Sequence, residues 1–122
     1  MDNYKQLITE IDAINQAWHS MQALLTNESP ITTSLRDIKG RLQLRLLREF
    51  SDRVHLEIDP TSESEPLYSV KLQSPVSINI DGNTKKFNDA KHLPERKVKY
   101  WLEKGLVTES ELQTWLNVKQ ES

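Results

Sequence analysis

The sequence predicts an α+β fold: an N-terminal antiparallel helical hairpin, a small three- to four-stranded antiparallel sheet and a C-terminal pair of short helices. Three observations predict it. Apolar residues recur at helical spacing as far as Phe50, apolar and polar residues alternate from Val54 to Ile80, and two helix-boundary motifs stand side by side between Gly105 and Glu111. At 122 residues the chain has the size of one domain, so the hairpin (3–51), the sheet (54–87) and the helix-turn-helix (94–118) are expected to share one core.

The first helix is set by Tyr4, Leu7, Ile11, Ile14, Trp18, Met21 and Leu25, whose alternating spacing of three and four residues makes a heptad seam. Such a seam packs lengthwise on another helix, and the neighbour within the chain is the segment from Leu35 to Phe50. Turn formers from Thr26 to Pro30 separate the two, with Thr32, Thr33 or Ser34 available to cap the second helix. A connection that short joins antiparallel neighbours.

On the second helix Leu35, Ile38, Leu42, Leu46 and Phe50 fall within about 120° on a helical wheel, while Leu44 and Leu47 lie on the other side. The helix therefore has apolar surface to bury in two directions. The expectation is that the sheet covers Leu47 and that Leu44 belongs to a contact surface. Residues 41–47 also alternate with period two after Gly40, so a strand there is the competing reading, although Leu, Arg and Gln favour helix.

Three segments alternate as strands do: Val54-Leu56-Ile58, Tyr68-Val70-Leu72 and Val76-Ile78-Ile80. Ser74-Pro75 is expected to break or bulge the ladder between the second and third, because proline cannot donate to it. Asp81-Gly82-Asn83 forms a hairpin turn, and Lys85-Lys86-Phe87 a short returning edge strand. The acidic stretch from Pro60 to Pro66 reads as an exposed loop. Farther on, Pro94 opens a helix and Gly105 closes it. Thr108 and Glu111 then make a capping box, with Val107 and Leu112 as its hydrophobic staple.

Composition narrows the function. With no cysteine there is no thiol catalysis, disulfide framework or thiolate metal site. The acidic, polar N-terminus lacks signal-peptide character and no apolar run reaches membrane-spanning length, so the expectation is a cytoplasmic protein without membrane contact. Net charge is −2, and its sign alternates along the chain rather than building one strong field. The three glycines form no phosphate loop and the histidines are scattered, so neither an enzyme nor a cofactor is expected. His55-x-Glu57-x-Asp59 projects from one face of a strand. Spacing of about 6.6–6.8 Å between successive same-face side chains is too wide for all three to share a metal, and no metal site is assigned.

Two kinds of partner follow. The leading expectation is a small protein-interaction module, an adaptor, accessory subunit or inhibitor of another macromolecule. It would bind another protein or a second copy of itself through Leu44, Leu47, Trp18 and Met21. The alternative is a nucleic-acid-associated regulator using Lys85, Lys86, Arg96, Lys97, Lys99 and Tyr100, where cations would meet phosphates and an aromatic ring could stack on a base.

Overall fold

The computed structural model describes residues 2–26, 29–59 and 65–117. Among them are four helices and three strands in the order α1 (Asn3–Leu24), α2 (Pro30–Glu49), β1 (Val54–Ile58), β2 (Leu67–Ile80), β3 (Asn83–Pro94), α3 (Glu95–Glu103) and α4 (Glu109–Asn117). The predicted α+β class and its three-part order are therefore present. Most of the 60–66 loop, part of the 26–30 turn and the predicted helix end at 118 lie outside the described residues.

The hairpin forms as the heptad seam dictates, and residues 41–47 are helical, which removes the strand alternative. Capping of α2 differs from expectation. Ser29 is the N-cap, its hydroxyl accepting from the Thr32 amide, and Pro30 takes the first helical position, where its missing N–H costs nothing. Thr32 lies inside the helix, its hydroxyl turned back on the Thr26 and Ser29 carbonyls.

The sheet has the order β1-β2-β3, antiparallel throughout. The two strands expected on either side of Pro75 are one long strand, β2, and the return strand β3 runs on to Pro94 rather than ending at Phe87. Pro75 is tolerated because β1 pairs no farther along β2 than Leu72, and because the register with β3 slips between the Lys71 and Val76 pairings. Pro75 thus falls in a stretch of β2 that has no pairing partner on either side. A second irregularity between Ser69 and Lys71 throws a kink into β3, where Lys91 has a left-handed φ of 69°.

Helices α1 and α2 lie across the sheet, α3 packs on β3, and α4 on β1. The core joins Tyr4, Leu7, Ile8 and Ile11 of α1 to Leu46 and Leu47 of α2, to Val54, Leu56, Val70 and Leu93 of the sheet, and to Val98, Trp101, Leu112 and Trp115 of the last two helices. Both C-terminal motifs are realised. Leu106 and Gly105 amides donate to the Trp101 and Leu102 carbonyls around Gly105 (φ 74°), and Thr108 and Glu111 exchange side-chain and amide hydrogen bonds of 3.1 and 3.0 Å.

The two apolar sides of α2 prove to be the flanks of a single buried arc. Gly40, Gln43, Leu46 and Leu47 are all buried and span about 120° of the wheel. Polar Gln43 sits at the centre of that arc, and so splits the apolar pattern into two apparent stripes. Its Nε2 donates to the Ala90 and His92 carbonyls at the kink in β3 (2.9 and 3.0 Å), which secures a polar group inside the core. Gly40 lets two side chains of α3 approach closely: a Cβ there would lie 2.9 Å from Lys97 Cδ and 3.3 Å from Trp101 Cζ2, so both would have to shift. Leu47 is fully buried and Leu44 is half-buried against the same core, so Leu47 is withdrawn from the expected contact surface and Leu44 offers little to it.

Candidate functional site

Every buried residue of α1 lies in its first half, at Tyr4, Leu7, Ile8, Ile11 and Asp12. Beyond Asp12 the helix continues for more than three turns, paired with α2 but with no buried residue of its own. The start of α2 behaves alike: between its first turn, where Thr32 is buried, and Gly40, no residue is buried. The distal half of the hairpin thus projects past the core while retaining its apolar seam.

Trp18 and Met21 of the expected surface lie here, each half-buried against the facing helix, together with Ile14 and Leu35. Around them the apolar groups are open to solvent: Leu24 is 76%, Leu25 38%, Ile31 54% and Ile38 42% exposed. The indole N–H of Trp18 is buried with no acceptor among the described residues. Fourteen successive residues, Ala13 to Thr26, contain no Asp, Glu, Lys or Arg, in a chain that is 28% charged. A surface helix normally turns charges to the water on the side away from the core. This one turns Gln, Ser, Ala, His and Leu, composition that tolerates being covered. That signal was open to view in the sequence, and Leu24, Ile31 and Ile38 are the residues that the seam periodicity alone did not mark as exposed.

Where the hairpin meets the sheet its electrostatics are strong. Asp12 is buried, accepting from Lys85 Nζ (2.8 Å), Lys91 Nζ (3.1 Å) and Gln16 Nε2 (2.9 Å). Burial pushes its carboxyl up, but hydrogen bonds from the two lysines outweigh that and hold it below the usual range. One turn farther out, Lys39 Nζ donates to Asn15 Oδ1 (3.1 Å) and lies 5.5 Å from the centre of the Trp18 ring. Burial, then the charges of Lys91, Lys97 and Arg36, lower its ammonium pKa to about 8.

The basic residues of the nucleic-acid alternative are spread over β3 and α3, and most are paired with carboxylates. Lys85 is held by Asp12, Lys97 by Asp37 (2.9 Å), Lys99 by Glu95 (3.2 Å) and Arg96 by Glu65 (3.4 Å). Lys86 is exposed, as is Tyr100, whose ring has Lys104 Nζ 5.7 Å from its centre. The histidine-carboxylate motif divides in two. His55 Nε2 meets Glu57 (2.7 Å), while Asp59 turns to His92 on β3 (3.0 Å). Among the described residues no three His, Asp or Glu side chains could hold a metal together. Nor is any helix there long and apolar enough to cross a membrane.

Compared with protein-family models, with curated proteins and with solved structures, the chain matches none.

Proposed function

We propose that this protein is a small interaction module, an adaptor, accessory subunit or inhibitor, which binds another protein through the distal half of its helical hairpin. A single observation carries the reading: an uncharged, apolar-studded stretch of α1 and the first turns of α2 project beyond the core with Leu24, Leu25, Ile31 and Ile38 open to water. Large apolar side chains exposed together on one end of a small domain often mark an interaction site. Half-buried Trp18 and Met21 lie on the same stretch of α1, and large aromatic side chains are those that most often carry binding energy. Lys85, Arg96, Lys97 and Lys99 each have a carboxylate partner with which a phosphate would compete, which favours the protein-binding reading over the nucleic-acid one.

The test is site-specific photocrosslinking in the cell of origin, with a photoreactive residue at position 24, 31, 73 or 86. The expected result is a discrete protein adduct from positions 24 and 31 that survives nuclease treatment and is absent from position 73. Adducts formed mainly from position 86 and lost with nuclease would replace this reading with the nucleic-acid one.

A further inference from the structure

The β2–β3 hairpin outruns β1. That strand pairs with β2 no farther than Leu72, so from Val76 to Ile80 β2 has β3 on one side and no strand on the other. The turn fixes which backbone groups face the open side. Asp81 and Gly82 both have positive φ (51° and 82°), as in a type I′ turn of two residues, and the closing pair of such a hairpin, Ile80 and Asn83, exchanges both of its hydrogen bonds. Alternate residues Ile80, Ile78 and Val76 therefore turn their N–H and C=O groups to β3, while Ser77 and Asn79 turn theirs to the open edge. No hydrogen bond reaches those two from that side among the described residues.

Sheet edges are normally blunted by charge. Glu57 stands on β1 and Lys85, Lys86 and Lys91 on β3, whereas β2 has no charged residue between Lys71 and Asp81. Towards the helices this stretch presents β-branched residues, buried Ile78 and half-buried Val76 and Ile80; towards water it presents exposed Ser77 and Asn79.

We propose that this edge pairs with a second copy of itself, the two β2 strands running antiparallel about a two-fold axis at Ile78. The inference is independent of the docking reading. The open window is self-complementary: Pro75, which has no N–H, closes one end, Asp81 closes the other, and Ile78 lies midway. Two-fold pairing sets Ser77 opposite Asn79 of the second copy, where each pair exchanges two hydrogen bonds. It also sets Val76 opposite Ile80 and Ile78 opposite Ile78, β-branched on β-branched. No like charges meet. Asp81 comes instead to Pro75 of the second copy, two residues (about 6.8 Å) from Gln73, whose amide donates to the Arg53 carbonyl. Arg53 rests on the Tyr4 and Phe50 rings and has no carboxylate partner among the described residues, so opposite charges approach at both ends of the ladder.

A five-residue ladder is a small interface, and the association is expected between roughly 10 µM and 1 mM protein. The experiment is sedimentation equilibrium of the full chain over that range, together with amide hydrogen exchange read by NMR. The expected result is a monomer–dimer equilibrium in which exchange at Ser77 and Asn79 slows by about twofold or more as concentration rises. Ser77→Pro removes an edge donor and no bond within the chain; with two donors lost per dimer it should weaken association by about tenfold. The double variants Ser77→Lys with Asn79→Lys and Ser77→Glu with Asn79→Glu should each be monomeric, and their equimolar mixture should dimerise, because the two-fold sets lysine opposite glutamate. A chain that stays monomeric throughout, dimers indifferent to Ser77→Pro, or a mixture that does not pair would overturn the proposal. Self-pairing doubles the mass of the chain and should survive Leu24→Ser, which separates it from docking at the hairpin tip.

Discussion

The two halves of the helical hairpin share one heptad seam and end in opposite circumstances. In the proximal half Leu7, Ile8 and Ile11 meet Leu46, Leu47 and the sheet in a closed core. In the distal half Ile14, Trp18 and Met21 are only half-buried, and the residues at their margins are exposed. Spacing alone does not separate the halves; what separates them is the length of the sheet beneath and the placement of charge. Charged Asp12, Lys85 and Lys91 stand at the boundary, beyond which α1 carries no charge until after Thr26. A periodic pattern states that a face will be covered, whereas burial in the monomer tells whether the chain itself covers it.

That contrast can be broken most sharply at Leu47. Leu47→Ala should destabilise the chain by about 2–5 kcal/mol in urea denaturation, with no change in oligomeric state. A loss below about 1 kcal/mol would mean that the proximal half is not the closed core described above.

Asp12 tests the boundary. Asp12→Ala, which strands the ammonium groups of Lys85 and Lys91, should cost about 1.5–3 kcal/mol at pH 7. The folded carboxyl lies below its unfolded value, so its contribution is complete above the unfolded pKa and disappears as pH falls through the folded one. The gap between wild type and variant should accordingly narrow below about pH 4. A gap independent of pH would assign the loss to packing.

Lys39 should behave with the opposite sense. Its folded amine binds a proton less tightly than the unfolded one, so wild-type stability should rise as pH climbs from about 8 toward the ordinary lysine value. Lys39→Met should be more stable than wild type at pH 7, and the advantage should shrink over that window. Urea titrations at pH 7, 8.5 and 9.5 provide the check.

The smallest effect is expected at the tip. Leu24→Ser should alter stability by no more than about 0.5 kcal/mol, since no core contact is lost, while crosslinking through position 31 should fall. A large destabilisation would show that the tip is covered by the chain itself.

Local grammar was the most legible part of the sequence. The α1 seam, the Gly105 helix end and the Thr108 capping box depend on residues within one or two turns, and all three stand where their spacing placed them. What escaped was whatever depended on tertiary approach. Gln43 and Gly40 carry no hydrophobic signal, yet one fastens α2 to β3 and the other admits Lys97 and Trp101. Pro75 reads as a strand break unless the register slip that accommodates it is known. Of the candidate surface, Trp18 and Met21 were legible from periodicity. Leu47 is buried, as the expectation that the sheet covers it requires, and so is not open to a partner.

The hydrogen bonds of Gln43 to the Ala90 and His92 carbonyls have a consequence for self-association. A sheet edge with a free row of backbone groups is a template on which other chains can add strands, the first step toward swapped oligomers and fibrils. On β3 that row is interrupted: two successive same-side carbonyls are taken by a side-chain amide, and the left-handed Lys91 between them bends the strand out of line. The glutamine that anchors α2 also makes this part of the β3 edge a poor template for an added strand.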